Sequence, residues 1–398
     1  MPGAPLPRLG IRWTFTSFTG WGVFGLNLAR DLTRRGLAVP VPLYTEDLLG
    51  DEARADPALA PALAAQREIA PHLTAGDDLH LDFPVLHGLG NGLGAGQLSA
   101  RVFGAPDIGM AFLEDTRPGN SVAQAARYRL LLAGSAWNGE VLRSFGIEHV
   151  AVCPQGVDTT LFRPQPRRGV FGDRFTIFSG GKLEFRKGQD IVVAAFRIFH
   201  ARHPDALLLT AWSSPFPGAA ADMTQSPHGT GAPVAADSPE SVSDWLARNG
   251  VPLDSMALLP AISNEAMASW LGDVDAAVFV SRAEGGTNLA AMETLACGVP
   301  TILSANTGHL DLIASVPCVA LERQSAISTN PAAAGQVGWG ETDPMDVVDA
   351  LEQLYARREE ARAMGRDAAA AMASTWSWSR RIDGMLSALA EVGAWPRT

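Results

Sequence analysis

Short apolar runs along this chain alternate with longer stretches in which apolar residues recur every three or four positions. That pattern predicts strands followed by amphipathic helices, an α/β chain. Residues 9–15 predict a first strand, residues 17–22 a glycine-bearing turn, and residues 23–35 a helix stopped by Gly36. A second strand is predicted over 38–43, and a strand-like run from 78 leads into a glycine-rich loop ending at 92, with His87 as the polar residue at the strand end. Residues 107–116 predict a strand that finishes on Glu114 and Asp115. A strand and helix over 128–145 and a strand over 148–152 close this first block. Residues 154–166 are proline-rich and aperiodic, the composition of a linker.

The alternation then restarts. A strand is predicted over 175–178, a loop over 179–188 carrying Lys182, Arg186 and Lys187, a helix over 189–203 and a strand over 206–212. Residues 213–237 turn to Pro, Gly, Ala and Ser without a period and predict a surface loop or partly disordered insertion. Next come a strand (256–259), a helix (264–271), a strand (275–280), a strand (301–304), a turn at Thr307-Gly308 and a short strand (318–321). Helices over 344–357, 359–373 and 378–392 finish the chain.

The most informative stretch runs from Val274 to Pro300. A valine-rich buried strand breaks at Ser281 into the pair Gly285-Gly286, followed by good helix formers. Amides at a helix start are unpaired and the helix dipole is positive there, so an anion is favoured. Gly285 and Gly286 would let a ligand approach the backbone. Glu284 and Glu293 bracket that place. A carboxylate beside a phosphate is repelled by it, which suits both to binding hydroxyls, and hydroxyls beside phosphates suggest a sugar nucleotide. Glu293 sits in an apolar helix segment, where a charge is costly unless it is paired or faces a ligand. Lys182 and Lys187 flank a strand-to-helix turn on the edge where parallel sheets bind ligands, within reach of a diphosphate at the helix starting near Thr287. Arg186, adjacent in sequence, reads as surface.

Composition narrows the classes. At 398 residues the chain exceeds what one core usually serves, so two domains are expected, 1–163 and 164–375. A net charge of −11 with no basic stripe argues against a nucleic-acid partner or an anionic membrane surface. The start lacks the apolar core of a signal peptide and no apolar run is long enough to span a bilayer, so a cytoplasmic protein without a transmembrane segment is expected. Cys153, Cys297 and Cys318 have no metal-ligand spacing and read as buried thiols.

Several ordered pieces resemble the retaining, family 4 type glycosyltransferases of the GT-B fold, two Rossmann-like domains with parallel sheets facing across a cleft. Gly20-Trp21-Gly22 resembles the acceptor-side glycine loop, and Ser135-Ala136-Trp137-Asn138 through Pro154-Gln155-Gly156-Val157-Asp158 the segment entering the linker. Gly181-Lys182 to Lys187-Gly188 resembles the basic pair that holds the donor diphosphate, with lysine at 182 where arginine is usual. Residues 284–300 resemble the two-glutamate donor motif. The family has seven residues between its glutamates; here eight separate Glu284 from Glu293. Either the loop carries one extra residue, which the glycine pair would absorb, or Gly285 takes the first glutamate's place; the extra residue is preferred.

The resemblance implies a hexosyltransferase moving sugar from a nucleoside-diphosphate sugar to an acceptor hydroxyl with retention. The acceptor would be a glycan, a lipid-linked sugar, a small molecule or a protein. It assigns Glu293 to the donor ribose and Glu284 to the transferred sugar. Lys182, Lys187 and the amides of Gly286, Thr287 and Asn288 would neutralise the leaving diphosphate. The base would be met near Ile262, and the acceptor side would hold Gly20, Trp21, Gly22, Glu114 and, on closure, His87. Neither metal nor cofactor is implied, since no Asp-x-Asp motif stands near the donor loop. The segment 376–398 resembles a helix that packs back on the first domain. The competing readings are a GT-B phosphorylase, a sugar-nucleotide epimerase, and a nucleotide-sugar binder without turnover.

Overall fold

A computed structural model describes residues 5–44, 49–74, 78–94, 101–213, 220–229, 231–235 and 237–397. The chain divides into two compact units. The first comprises Met1–Gly156, Ser263–Glu265 and Trp376–Thr398; the second comprises Val157–Ile262 and Ala266–Thr375.

The first unit carries β1 (Arg8–Arg12), β2 (Val39–Pro42), β3 (Asp78–His80), β4 (Val85–Leu89), β5 (Arg101–Phe103), β6 (Asp107–Ala111), β7 (Leu130–Ala133) and β8 (Val150–Val152). Six of them form a parallel sheet in the order β2-β1-β4-β6-β7-β8, and β3 pairs with β5 apart from it. Pro40 and Pro42 cannot donate to a ladder, and they lie on β2, an edge strand where none is required. The first helix begins at Gly20, three residues earlier than its periodicity suggests, because the Thr19 hydroxyl accepts from Gly22 N at 3.2 Å and caps it. Gly22 must be glycine, since a Cβ there would stand 2.3 Å from Thr16 O. The helix Trp378–Glu391 belongs to this unit, with Trp378 stacked on Phe24 at 5.3 Å.

The second unit carries β9 (Phe175–Gly181), β10 (Ala206–Trp212), β11 (Met256–Leu258), β12 (Ala276–Phe279), β13 (Thr301–Ser304), β14 (Val319–Leu321), β15 (Gln324–Ser325) and β16 (Glu341–Thr342). Its main sheet is parallel in the order β11-β10-β9-β12-β13-β14, the doubly wound order whose strand sequence reverses between β9 and β12. Ile177, Leu208, Val278 and Ile302 from these strands are fully buried in one core with Ile191, Phe196 and Phe199 of the helix Gln189–Arg202. Strands covered on both faces read as continuous apolar runs, which is why the sequence located them well.

The segment 213–237 departs from expectation. Residues 214–219, 230 and 236 lie outside the described residues, but Ala220 and Met223 are each 1% exposed and belong to that same core. Their apolar side chains, embedded in a polar, aperiodic stretch, give it an anchorage that periodicity cannot reveal.

Candidate functional site

In an open parallel sheet, ligands bind beyond the carboxyl ends of the strands where the order reverses. In the second unit this is the place between β9 and β12, and the loops following those two strands carry most of the residues singled out above. After β9 the chain makes one 3-10 turn, Phe185–Lys187, and leaves it at Gly188 with φ +70°. A Cβ on Gly188 would meet Val280 O at 2.1 Å, so glycine is what lets the two loops touch.

Glu284 stands at the centre. It is 4% exposed, and Lys187 Nζ reaches both its oxygens at 2.8 and 2.7 Å. Oε1 also accepts from Ser281 Oγ at 2.6 Å and Asn288 Nδ2 at 3.0 Å, and Oε2 from Arg186 at 3.3 Å. Burial alone would raise this carboxyl, but Lys187, Arg186 and the neighbouring His309 outweigh it and hold the pKa at about 2. The backbone is held as well. Glu284 N donates to Thr307 Oγ1 at 2.7 Å and its carbonyl accepts from Gly308 N at 3.1 Å. A Cβ on Gly308 would lie 1.8 Å from Gly286 O, so the loop after β13 packs directly on the glycine pair.

The loop's left-handed turn falls at Asn288, with φ +64°, and not at the glycine pair expected to absorb the extra residue. Asn288 sustains that conformation because its side chain is used twice. Its Oδ1 caps the helix Leu289–Ala296 by accepting from Ala291 N at 3.3 Å, while its Nδ2 serves Glu284 and lies 3.1 Å from His309 Nε2. With Asn288 donating, His309 Nε2 accepts and Nδ1 carries the proton toward Ser304 O at 3.1 Å. Burial lowers the pKa of that ring against the pull of Glu284. Thr307, on the same wall, has φ +41°, a strained value for a β-branched residue.

Arg186, expected at the surface, is 5% exposed; besides Glu284 it bonds Glu184 and donates to Ala283 O at 2.7 Å. Adjacency to Lys187 misled because a 3-10 turn does not alternate its side chains as a strand does. Arg282, which the sequence reading passed over, has no exposed surface and stacks on the Phe185 ring at 3.8 Å. Its guanidinium forks onto Asp190 at 2.8 and 2.7 Å and also bonds Glu341 at 2.9 Å. Burial would lower its pKa, but these two carboxylates raise it. An arginine at the end of an apolar strand was the available signal, because a charge there demands partners. Asp190, His228 and Glu341 offer ligand atoms within 4.8 Å of one another, but both carboxylates are already engaged by the Arg282 guanidinium.

The remaining donor-side residues lie on the same unit. Glu293 is 8% exposed on the helix Leu289–Ala296, Thr287 is fully buried with its hydroxyl 3.0 Å from Met292 Sδ, and Ile262 is half-buried after β11. Lys182 follows β9 with 42% of its side chain exposed, 3.8 Å from Glu184. Cys297, on the turn after Glu293, is buried and its thiol is pushed up to about 12 by burial and by Glu293; Cys153 is buried and Cys318 half-buried.

In the first unit the corresponding reversal lies between β1 and β4. Trp21, from the glycine-bearing turn, meets Trp13 at 5.2 Å and Phe112 edge-on at 4.7 Å. Glu114 follows β6, its amide donating to Asn91 Oδ1 at 2.8 Å. His87 is corrected: it lies in the middle of β4, not at its end, with no exposed surface. Its Nε2 is 2.7 Å from Asp107 Oδ1, and Arg127 bonds the other oxygen at 3.0 Å. Burial lowers the His87 pKa despite the hydrogen bond and charge of Asp107. A ligand contact would require the strand to open.

Residues 140–385 match the model of the family 4 glycosyltransferases in conflict systems. A D-inositol 3-phosphate glycosyltransferase of Paenarthrobacter aurescens (strain TC1) is 28% identical over 260 residues, 63% of this chain and 54% of that protein. The chain thus spans about half the length of that curated relative. Among solved structures, Anabaena Alr3699/HepE in complex with UDP and glucose superposes with a TM-score of 0.63 at 12% identity, over 97% of this chain and 100% of that one. Sucrose-phosphate synthase of Thermosynechococcus elongatus gives 0.61 at 14% identity, over 98% and 99%. At such identity these two show the fold alone, which is GT-B. No helix among the described residues is long and apolar enough to cross a membrane. With well over half of its length matched by the family model, the chain belongs to the family 4 glycosyltransferases of conflict systems.

Proposed function

We propose that the protein transfers a sugar from a nucleoside-diphosphate sugar to an acceptor hydroxyl with retention of configuration and without a metal ion. The observation that carries this reading is the set of buried Glu284 and Arg186 with half-buried Lys187 at the strand reversal, beside a helix start. Cations fixed before the reaction stabilise charge on a departing diphosphate without reorganising, which is where such stabilisation acts most strongly. A lysine ammonium has three N–H donors. Two serve Glu284, and the third is the one a phosphate oxygen would take. Lys182, more exposed, would meet the same diphosphate from the solvent side. Glu293 would bind the ribose hydroxyls. Glu284, whose oxygens both already accept donors, serves in this reading to set Lys187 and Arg186 in place rather than to hold the sugar alone. UDP and glucose occupy the Alr3699/HepE structure, and that likeness of fold supports a nucleotide-sugar donor here.

The test is turnover of UDP-, GDP- and ADP-sugars against mixed sugar acceptors, with nucleoside diphosphate release followed and the product's anomeric configuration read by proton NMR. One donor should turn over with its configuration kept, unaffected by EDTA. Inversion, loss of activity with EDTA, or failure of every donor to bind or react would overturn the reading.

A further inference from the structure

The turn that carries Arg186 and Lys187 has little to hold it from within. Its internal backbone bonds are Lys187 N to Glu184 O at 2.9 Å and Gly188 N to Phe185 O at 3.2 Å. Arg186 also pairs with Glu184 inside the turn, and much of the remaining support comes from residues 220–229 of the aperiodic segment. Asp222 Oδ1 accepts from Phe185 N at 2.9 Å. Ser226 Oγ donates to Asp190 Oδ2 at 2.6 Å, and His228 Nε2 lies 2.7 Å from Glu341 Oε1. Asp190 and Glu341 are the two carboxylates that hold Arg282. Arg282 in turn bonds Phe185 O through its guanidinium at 2.5 Å and Arg186 O through its own amide at 2.7 Å. Both backbone groups of Phe185 are therefore held from outside the turn, the amide by Asp222 and the carbonyl by Arg282. Met223 and Ala220, buried in the core, fix the segment that supplies these side chains.

We propose that residues 220–229 are a positioning brace for the lysine-bearing turn. Asp222, Ser226 and His228 determine where Arg186 and Lys187 stand before any ligand arrives. Three side chains spaced two to four residues apart reach three separate points of one network, which a segment filling surface would have no reason to do. Asp222 takes the Phe185 amide directly, and the loss of that acceptor would leave a donor without its partner in a turn that has few internal bonds. The effect on donor binding rests on the function proposed above; the bracing itself does not.

The experiment uses the full chain with Asp222→Ala and Asp222→Asn, reading amide hydrogen exchange over residues 183–189 and over the helix Pro239–Arg248, together with the affinities for UDP, GDP and ADP. Asp222→Ala should speed exchange at 185–188 by about tenfold or more while that helix is unchanged, because the opening is local. The diphosphate that binds the wild type should bind about fivefold more weakly, since the cations are no longer preset. Asp222→Asn keeps the Oδ1 acceptor and should restore both readouts, a rescue that a bulk loss of stability would not show. Unchanged exchange at 185–188 in Asp222→Ala, or an equal rise across the whole second unit, would overturn the brace. Should Asp222→Ala fail to fold, Ser226→Ala and His228→Ala carry the same exchange test through Asp190 and Glu341. If no diphosphate binds even the wild type, the proposed function falls while the exchange readout still decides the brace.

Discussion

The two units reverse their strand order at corresponding places and build them from different chemistry. Between β9 and β12 the loops carry a continuous ionic network running from Lys187 and Arg186 through Glu284, with Arg282, Asp190 and Glu341 behind it. Between β1 and β4 the neighbourhood of the glycine-bearing turn is aromatic, with Trp13, Trp21, Phe24 and Phe112 in mutual contact. The ionic network ties each charge to several partners, so its geometry is fixed in advance, as recognition of a constant anionic group requires. Rings offer area and adapt to shape with few directional demands. Under the function proposed above, the ionic side would take the constant part of the donor, and half-buried Trp21 and Phe112 would be the rings offered to the other ligand.

The sharpest way to break this contrast is to remove the centre of the network. Glu284→Gln should destabilise the second unit by about 3–5 kcal/mol, because half-buried Lys187 loses its carboxylate partner and buried Arg186 loses one of its two. The same group gives a pH signature. Its folded pKa of about 2 lies below the ordinary 4.5, so the stabilisation is complete above pH 4.5 and is lost as pH falls toward 2. Thermal unfolding followed between pH 6 and pH 3 should therefore fall more steeply for the wild type than for Glu284→Gln. Parallel curves would remove Glu284 from the centre.

A smaller effect is expected from the aromatic side. Trp21→Ala should lower transfer by about tenfold by removing ring contacts while leaving nucleoside diphosphate affinity within about twofold. A comparable loss of diphosphate affinity would mean that the two regions do not divide the labour. The smallest effect on activity belongs to His87→Gln. Breaking the buried pair with Asp107 should lower the melting temperature by about 4 °C or more, with kcat and KM unchanged well below it. A fall in kcat without a fall in melting temperature would return His87 to the site.

What the sequence disclosed follows from the same contrast. Strands buried on both faces announce themselves as apolar runs, and a strand breaking into glycines before a helix marks a loop at the ligand edge of a parallel sheet, so the loop around Glu284 was legible. Its partners were legible only where their spacing was regular. Lys187 was found, but Arg186 was assigned to the surface and Arg282 passed over, because a 3-10 turn and a strand end aim side chains in ways that neither a period of two nor one of 3.6 describes. The loop between the glutamates turns at an asparagine rather than at the glycine pair, one whose side chain makes a positive φ tolerable, a tertiary effect with no sequence period. The aperiodic segment hid its role for a similar reason. Its anchors, Ala220 and Met223, are too few to make a pattern, and its polar contacts are to residues distant in sequence.

The division of labour is tested most directly by titration calorimetry of UDP, GDP and ADP into the wild type and into Lys187→Ala. One diphosphate should bind the wild type, and Lys187→Ala should weaken it by about tenfold or more, the value of a charge-assisted bond to phosphate. Equal affinity in the two proteins, or no binding of any diphosphate to the wild type, would contradict the assignment of the charged reversal as the donor site.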